Sequence, residues 1–208
     1  VLLHIISRLA PRTPIIWVDT GYVPPETYRY VETLRRFFRL NIRVFQSDIS
    51  PARMEALYGR LWESDDLSDL AGYHALRKVK PLQRALTELR ASAWLSGVRR
   101  SQTSVRNGFS TVMDHDGIAK IHPLLDWRDA DVDEYLRRYD LPRHPLEKVG
   151  YRSIGDSQLS APATEITSAP RRGRFGGKRE ECGIHLPVAE QRRIVLSTMR
   201  FDDATGSV

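Results

Sequence analysis

The chain has a single cysteine and no long apolar run, and each absence excludes a class of protein. One cysteine among 208 residues makes an intramolecular disulfide impossible. It also excludes a zinc or iron–sulfur site built from several cysteines. No apolar stretch approaches the ~20 residues of a membrane span. The apolar opening, residues 1–6, is too short to be a signal peptide and lacks its leading charges.

The composition is that of a folded domain with an excess of positive charge. Hydrophobic residues make up 41% and charged residues 28% of the chain, the usual range for a globular domain. Lysine and arginine exceed aspartate and glutamate by 32 − 26 = 6. This excess indicates an anionic partner without naming one, so a nucleotide and a nucleic acid are both open at this point.

Short apolar runs alternate with segments of helical periodicity, which predicts an α/β fold with an open, mostly parallel sheet and helices on both faces. Strands are predicted at 15–18, 42–45, 93–98 and 118–121. Helices are predicted at 2–9, 25–38, 81–91, from Asp126 or Asp129 to Leu136, and at 188–199. The predicted buried stripe of the second helix consists of Tyr28, Val31, Leu34, Phe37 and Phe38.

Two polar loops follow predicted strands, at the edge where parallel sheets bind ligands. The loops contain Asp19, Thr20 and Gly21 in the first case, and Arg99, Arg100, Gln102 and Arg106 in the second. Arginine binds phosphate and sulfate groups with bidentate, charge-assisted hydrogen bonds. The pair of loops therefore predicts a nucleotide site, and the alternative is that they are ordinary polar strand ends with solvated arginines.

The cysteine, Cys182, lies in a charged, glycine-rich segment, whereas buried structural cysteines usually lie in apolar runs. Nearby cations such as Arg171 and Arg174 favour the thiolate, while Glu180 and Glu181 oppose it. This setting favours a reactive thiol over a structural one. Because one cysteine cannot resolve its own covalent adduct, redox chemistry would need a thiol from another molecule.

Several motifs occur in the order seen in assimilatory adenylylsulfate and phosphoadenylylsulfate reductases, and the chain resembles that family up to His185. The motifs are Asp19-Thr20-Gly21-Tyr22, Pro25-Glu26-Thr27-Tyr28, Arg77-Lys78-Val79-Lys80-Pro81-Leu82, Gly97-Val98-Arg99-Arg100-Ser101-Gln102, Asp126-Trp127 and Glu181-Cys182-Gly183-Ile184-His185. The resemblance implies an adenine nucleotide alpha-hydrolase-like fold. It implies a sulfonucleotide-binding domain at 1–150 and a catalytic segment and tail at 151–208. The family's Ser/Gly-rich loop and first strand are expected upstream of Val1.

Cysteines that bind an iron–sulfur cluster separate the two branches of this family. Their positions are occupied here by Tyr73, His74, Asp156 and Leu159, none of which is a thiolate ligand. The resemblance is therefore to the cluster-free branch, which implies 3′-phosphoadenylylsulfate as substrate and no bound metal, cluster or cofactor. Adenylylsulfate remains open as the substrate, and so does the chemistry of a sulfate adenylyltransferase small subunit.

The resemblance also implies a mechanism in which Cys182 attacks the sulfate sulfur, and thioredoxin or glutaredoxin then releases sulfite from the S-sulfonate. Lys78, Arg171 and Arg174 are expected to hold the sulfonate and phosphates, and His185 to orient the sulfate or the C-terminal segment. The alternatives are a solvated helix start for Lys78 and a packing contact for His185.

Three further expectations complete this interpretation. Asp19 is expected either to contact the ribose or to shape its turn. The segment from Gly155 to His185 has few periodic apolar residues and is predicted to be mobile without ligand and to close over the nucleotide. The protein is expected to be a cytoplasmic homodimer with no nucleic-acid or membrane partner.

Overall fold

The computed structural model describes residues 1–163, 181, 183–196 and 198. Cys182, Arg171 and Arg174 lie outside the described residues. So does most of the segment from Gly155 to His185, which is predicted to close over the nucleotide. The chain divides into two compact units. Unit 1 consists of Val1–Ile15, Val23–Arg43 and Ser92–Glu180, and unit 2 consists of Ile16–Tyr22, Val44–Ala91 and Glu181–Val208.

The helices and strands give an α/β fold, as predicted. The α-helices are α1 (Leu2–Leu9), α2 (Pro25–Phe38), α3 (Pro51–Tyr58), α4 (Leu67–His74), α5 (Lys80–Glu88), α6 (Asp129–Arg138) and α7 (Val188–Leu196). The strands are β1 (Pro14–Val18), β2 (Asn41–Phe45), β3 (Ala93–Leu95), β4 (Val112–His115) and β5 (Ile118–Ile121). Helices and strands alternate from α1 to β2, three α-helices then precede β3, β4 and β5, and α6 and α7 follow. In the described part of the chain, no helix is both long and apolar enough to cross a bilayer.

The strands form two sheets, one of β1 and β2 and one in the order β3-β5-β4. β3 and β5 run parallel with Trp94 opposite Lys120, which confirms the predicted parallel pairing for these strands. β4 is an additional strand that pairs antiparallel with β5. Its hairpin turns at Asp116-Gly117, where both φ angles are positive, 59° and 79°, as a two-residue primed turn requires.

In unit 1, α1 packs on α2 through a group of rings. The His4 ring lies 5.6 Å from the Phe38 ring and 4.9 Å from the Tyr139 ring, measured between centroids. The predicted buried stripe of α2 is only partly covered: Val31, Leu34 and Phe38 are half-buried, while Phe37 is 55% exposed and Tyr28 is also exposed. The second helix begins at Pro25 as predicted, since proline suits the first helical turn.

In unit 2, α4, a π-helix at Ala75–Val79 and α5 follow one another without a break. The π-helix is buried at every one of its five positions. Ala71 and Ala75 pack against Leu186 and Ile194, so α7 is held on α4 and the π-helix by an apolar core. This core fixes the position of α7 against α4 and the π-helix.

Candidate active site

The turn that follows β1 is built by its own side chains. The Asp19 carboxylate accepts hydrogen bonds from the Gly21 N–H at 2.9 Å and from the Gln46 amide at 2.7 Å. Gly21 has a φ of +75°, and a Cβ there would lie 2.6 Å from Pro51 Cγ. Asp19 and Thr20 are both buried. These contacts support the turn-shaping role for Asp19, one of its two predicted roles.

The next residue, Tyr22, connects this turn to α3 and the π-helix within unit 2. Its hydroxyl donates to Glu55 Oε1 at 2.7 Å. Burial, together with that carboxylate, raises the pKa of Tyr22 to about 12. The Arg77 guanidinium lies 5.3 Å from the centroid of the Tyr22 ring, and Arg77 Nη1 donates to the Ile49 carbonyl at 2.7 Å. Arg77 therefore fixes the positions of the Tyr22 ring and of the chain before α3.

The π-helix carries Lys78, the basic residue that the family resemblance places at the sulfonate. Lys78 is 6% exposed and Arg77 is 2% exposed, so neither lies at a solvated helix start. The Lys78 ammonium is 6.0 Å from the centroid of the Tyr73 ring. π-Helices are rare and often occur at functional sites. The position of Lys78 thus agrees with a binding role and excludes the solvated alternative.

The residues on either side of the cysteine in the chain are both buried. Glu181 precedes Cys182, and Gly183 begins a short 3₁₀ turn that ends at His185. A Cβ at Gly183 would lie only 2.7 Å from Val79 Cγ2 and 3.6 Å from His74 Cβ. The turn therefore lies directly on the π-helix that carries Lys78. His185 is partly buried, which agrees with either of its predicted roles.

The arginine loop lies in unit 1, and its side chains contact other groups of that unit. Arg99 forms an ion pair with Asp129, and Arg100 Nε donates to Asp126 at 2.9 Å. Arg100 Nη1 also donates to the carbonyl oxygens of Asn107, at 2.9 Å, and Phe109, at 2.8 Å. Arg100 thus holds the loop closed upon itself.

Arg106 is 3% exposed, and its guanidinium donates to Gln102 Oε1. Gln102 Oε1 also accepts a hydrogen bond from the backbone N–H of Arg99 at 3.2 Å. Gln102 is therefore the residue that joins the start of the loop to its buried end. The four loop residues lie in unit 1, and Asp19, Thr20, Gly21, Lys78 and His185 lie in unit 2.

A group of buried basic side chains next to the arginine loop is not predicted by the sequence pattern. Lys120 on β5 is buried, and its ammonium lies 4.7 Å from the centroid of the Trp94 ring. His122 is also buried and stacks on Phe109. Burial, followed by the positive charges of Lys120 and Arg106, lowers the pKa of His122 to about 4. Strand alternation places Lys120 and His122 on one face, but no sequence signal marks that face as buried.

The family model described as "Phosphoadenosine phosphosulfate reductase domain" matches residues 1–162. The chain is 50% identical over 187 residues to the phosphoadenosine 5′-phosphosulfate reductase of Synechococcus sp., covering 89% of this chain and 80% of the relative. It is 46% identical to the Synechocystis sp. protein of the same name, covering 92% and 77% of the two chains.

The solved structures that resemble the fold include the following two. One is phosphoadenylyl-sulfate reductase from Candida auris in a phosphate complex, with a TM-score of 0.66 and 33% identity over 77% of this chain and 76% of that one. The other is the FMN adenylyltransferase of Candida glabrata, with a TM-score of 0.54 and 12% identity over 90% and 64%. The second is similar in fold alone.

Among the described residues, no three His, Cys, Asp or Glu side chains are grouped as a metal site would require.

Proposed function

The chain belongs to the phosphoadenosine phosphosulfate reductase family, and on that basis we propose that it reduces 3′-phosphoadenylylsulfate with Cys182 as the nucleophile. The products are sulfite and adenosine 3′,5′-bisphosphate. One observation carries the assignment of the site: the turn that starts directly after Cys182 packs on the π-helix that holds Lys78. This packing supports a site in which the Cys182 thiol and the Lys78 ammonium act on the same substrate.

In the first step, the Cys182 thiolate attacks the sulfate sulfur of the sulfonucleotide. A bond forms between Cys182 Sγ and that sulfur, and the bond from the sulfur to the phosphate oxygen breaks. Its electron pair leaves with adenosine 3′,5′-bisphosphate, so the charge grows on the leaving phosphate. Fixed cations next to that phosphate stabilise the transition state most when they are desolvated, which is the environment of Lys78.

In the second step, a donor thiolate attacks Cys182 Sγ. The bond between Sγ and the sulfonate sulfur breaks, and its electron pair leaves with sulfite. The second thiol of the donor then attacks the mixed disulfide, releasing Cys182 as a thiolate and leaving the donor as a disulfide. The donor supplies both electrons, so the chain needs only its single cysteine. Thioredoxin is the proposed donor, with glutaredoxin as the alternative.

The proposed site residues follow from these steps. Lys78, Arg171 and Arg174 hold the sulfonate and phosphates, and His185 orients the sulfate or the turn that contains it. The candidate nucleotide-binding residues are Asp19, Thr20 and Gly21 in the first polar loop, and Arg99, Arg100, Gln102 and Arg106 in the second. The functional division remains a binding part at 1–150 and a catalytic part at 151–208.

The proposed enzyme has no iron–sulfur cluster, because a cluster of this kind requires several cysteine thiolates and the chain has one cysteine. A reduced thiol donor is maintained in a reducing compartment, so the proposed location is the cytoplasm. The proposed assembly is a homodimer, which analytical ultracentrifugation of the purified chain would test by its mass in solution.

The test of the function compares the wild type with Cys182→Ser. Sulfite release is measured with 3′-phosphoadenylylsulfate and reduced thioredoxin, and binding of adenosine 3′,5′-bisphosphate is measured as the control for folding. We expect the variant to bind the nucleotide and to release no sulfite. Sulfite release that survives the substitution would contradict the proposal, and pyrophosphate exchange with ATP would favour a sulfate adenylyltransferase.

The same assay compares the two sulfonucleotides. We expect kcat/KM to be higher for the 3′-phosphorylated form by at least about tenfold, because one hydrogen bond to a charged group contributes about 1.5 to 3 kcal/mol. A preference for adenylylsulfate would reverse the substrate assignment. A tight RNA complex that weakens steeply with salt, formed by a chain that does not bind adenosine bisphosphate, would replace the enzyme function altogether.

A further inference from the structure

The helix that follows the cysteine turn, α7, sends one polar side chain into the interior of unit 2. Gln191 is 1% exposed. Its amide nitrogen donates to the carbonyl oxygen of Ile184 at 3.0 Å and to that of Leu186 at 2.9 Å. We propose that Gln191 is a positioning residue that fixes the turn after Cys182 for attack on the sulfonucleotide. This inference rests on the proposed function.

The hydrogen bonds explain why a glutamine is buried here. A short 3₁₀ turn leaves carbonyl oxygens without partners inside the turn, and a buried carbonyl without a partner is costly. One amide group with two N–H donors serves both carbonyls. An apolar side chain of the same length would fill the space but leave both oxygens without these donors.

The turn is held from two sides. Gln191 holds its backbone from the α7 side, while Gly183 lies on Val79 and His74 of the preceding helices. Below the turn, Leu186 and Ile194 pack with Ala71 and Ala75. The backbone hydrogen bonds and the apolar contacts therefore join α7, the turn and the π-helix of Lys78 into one packed body.

The consequence for chemistry follows from chain connectivity. Cys182 is bonded directly to Gly183, the first residue of the held turn, so a turn that moves also moves the thiol. Displacing a reacting group by about 1 Å can lower a rate by about a hundredfold. We assign Gln191 no part in the chemistry itself; it acts by limiting where the turn can lie.

The test uses Gln191→Met, which keeps the side-chain length and removes both donors. Arg193→Met is the matched control, because Arg193 is an exposed residue of the same helix. The measurement is the single-turnover rate of S-sulfonate formation on Cys182 with 3′-phosphoadenylylsulfate and no thiol donor. We expect this rate to fall by about tenfold to a hundredfold in Gln191→Met, with the Kd for adenosine 3′,5′-bisphosphate unchanged and with no effect of Arg193→Met.

A role in folding alone would lower nucleotide binding and the S-sulfonation rate together, and that outcome would overturn the proposal. So would a Gln191→Met rate equal to that of the wild type. A second readout needs no sulfonucleotide. Because the chain has one cysteine, the rate of iodoacetamide alkylation reports on Cys182 alone, and we expect it to rise in Gln191→Met as the turn loosens. An unchanged alkylation rate would contradict the positioning role.

This second readout separates the two hypotheses. A wild-type chain that forms no S-sulfonate would contradict the proposed function, while faster alkylation of Gln191→Met would still support the positioning role. Hydrogen exchange of the wild type covers the case in which the variant does not fold. We expect the amides of 184–186 and of α7 to open together with the same protection, and free exchange in the turn beside a protected α7 would overturn the proposal.

Discussion

Two groups of basic side chains, one in each compact unit, use their charges in different ways. In unit 1, Arg99 and Arg100 form ion pairs with aspartates, and Arg100 also donates to backbone carbonyls of its own loop. In unit 2, Arg77 and Lys78 are buried on a π-helix beside the rings of Tyr22 and Tyr73.

The difference shows that a basic residue in a motif can serve the fold of the motif as well as the ligand. Arg100 makes contacts whose loss would change the shape of the loop, whereas Lys78 is the buried ammonium that we propose binds the sulfonate and phosphates. We therefore expect substitutions in the two groups to separate activity from stability, and each of the following changes tests that expectation.

The largest effect is expected for Lys78→Met. Removing one preorganised donor of this kind lowers the rate by about a hundredfold to a thousandfold, so kcat/KM for 3′-phosphoadenylylsulfate should fall by that factor. The free energy of unfolding should change proportionally less than the activity, because methionine fills a similar volume. Steady-state sulfite release and chemical denaturation measure the two quantities, with Lys148→Met at an exposed lysine as control.

A loss of stability as large as the loss of activity in Lys78→Met would remove the difference between the two groups. It would mean that the buried ammonium holds the π-helix together, as Arg100 holds its loop.

Gly183→Ala tests the packing of the cysteine turn on the π-helix. A Cβ there would lie 2.7 Å from Val79 Cγ2, and overpacking of this kind costs about 1 to 3 kcal/mol. We expect the variant to unfold more easily by that amount and to lose about tenfold in kcat as the turn shifts. Gly108→Ala is the matched control, because nothing lies within 4 Å of a Cβ at that position. If the two variants had the same free energy of unfolding and the same kcat, the turn could move on the π-helix without loss of stability or activity.

His122→Gln tests how closely the cations of unit 1 are packed. The pKa of His122 is about 4 in the folded chain, below its ordinary value of about 6.5. The unfolded chain therefore binds more protons between these values, so folding stability falls as the pH is lowered through that window. Between about pH 7 and about pH 5, this residue should account for a loss of about 2 kcal/mol.

Urea denaturation across that pH range checks the prediction. As the pH is lowered, the free energy of unfolding should fall less steeply in His122→Gln than in the wild type. His144→Gln should change the slope less, since burial lowers the pKa of His144 to a smaller extent. An acid slope that is the same in wild type and His122→Gln would contradict the lowering of the His122 pKa by burial and by the charges of Lys120 and Arg106.

The smallest effect is expected for Arg100→Met. The Arg100 side chain is about a third exposed, and the side chain of its partner Asp126 is more exposed. Because solvent weakens such an ion pair, its loss should cost little stability. The loss of the carbonyl contacts should still lower the free energy of unfolding by about 1 kcal/mol. Arg100→Lys should not restore the lost free energy of unfolding, because an ammonium cannot reproduce the planar set of N–H donors of a guanidinium. Wild-type stability in Arg100→Met would contradict its role in holding the loop.

Local patterns were sufficient to predict the elements whose apolar residues follow a clear period. The helix over 2–9, the start of α2 at Pro25 and the strand at 118–121 are confirmed. The hairpin strand β4 was omitted, although Asp116-Gly117 is a strong turn signal. The strand predicted at 93–98 ends at Leu95, because the residues after it turn into the arginine loop.

The helix at 67–79 was not predicted, and the reason is physical. Every residue from Leu70 to Val79 is buried, including three with basic side chains, so the segment shows no polar face and no helical period. The family resemblance identified Lys78 but could not show that it is buried. Gln191 carries no signal at all, because a glutamine on a helix is typical of an exposed face and only the packing of residues 183–186 places it inside.

The central claim is that the sulfonate passes from the nucleotide to the single thiol of the chain. The most direct measurement incubates the wild type with 3′-phosphoadenylylsulfate without a thiol donor and maps the adduct by mass spectrometry after digestion. The account predicts one sulfonate per chain, on Cys182, with release of adenosine 3′,5′-bisphosphate in equal amount and release of sulfite when reduced thioredoxin is added. Sulfite formation by a chain on which Cys182 never carries a sulfonate would contradict it.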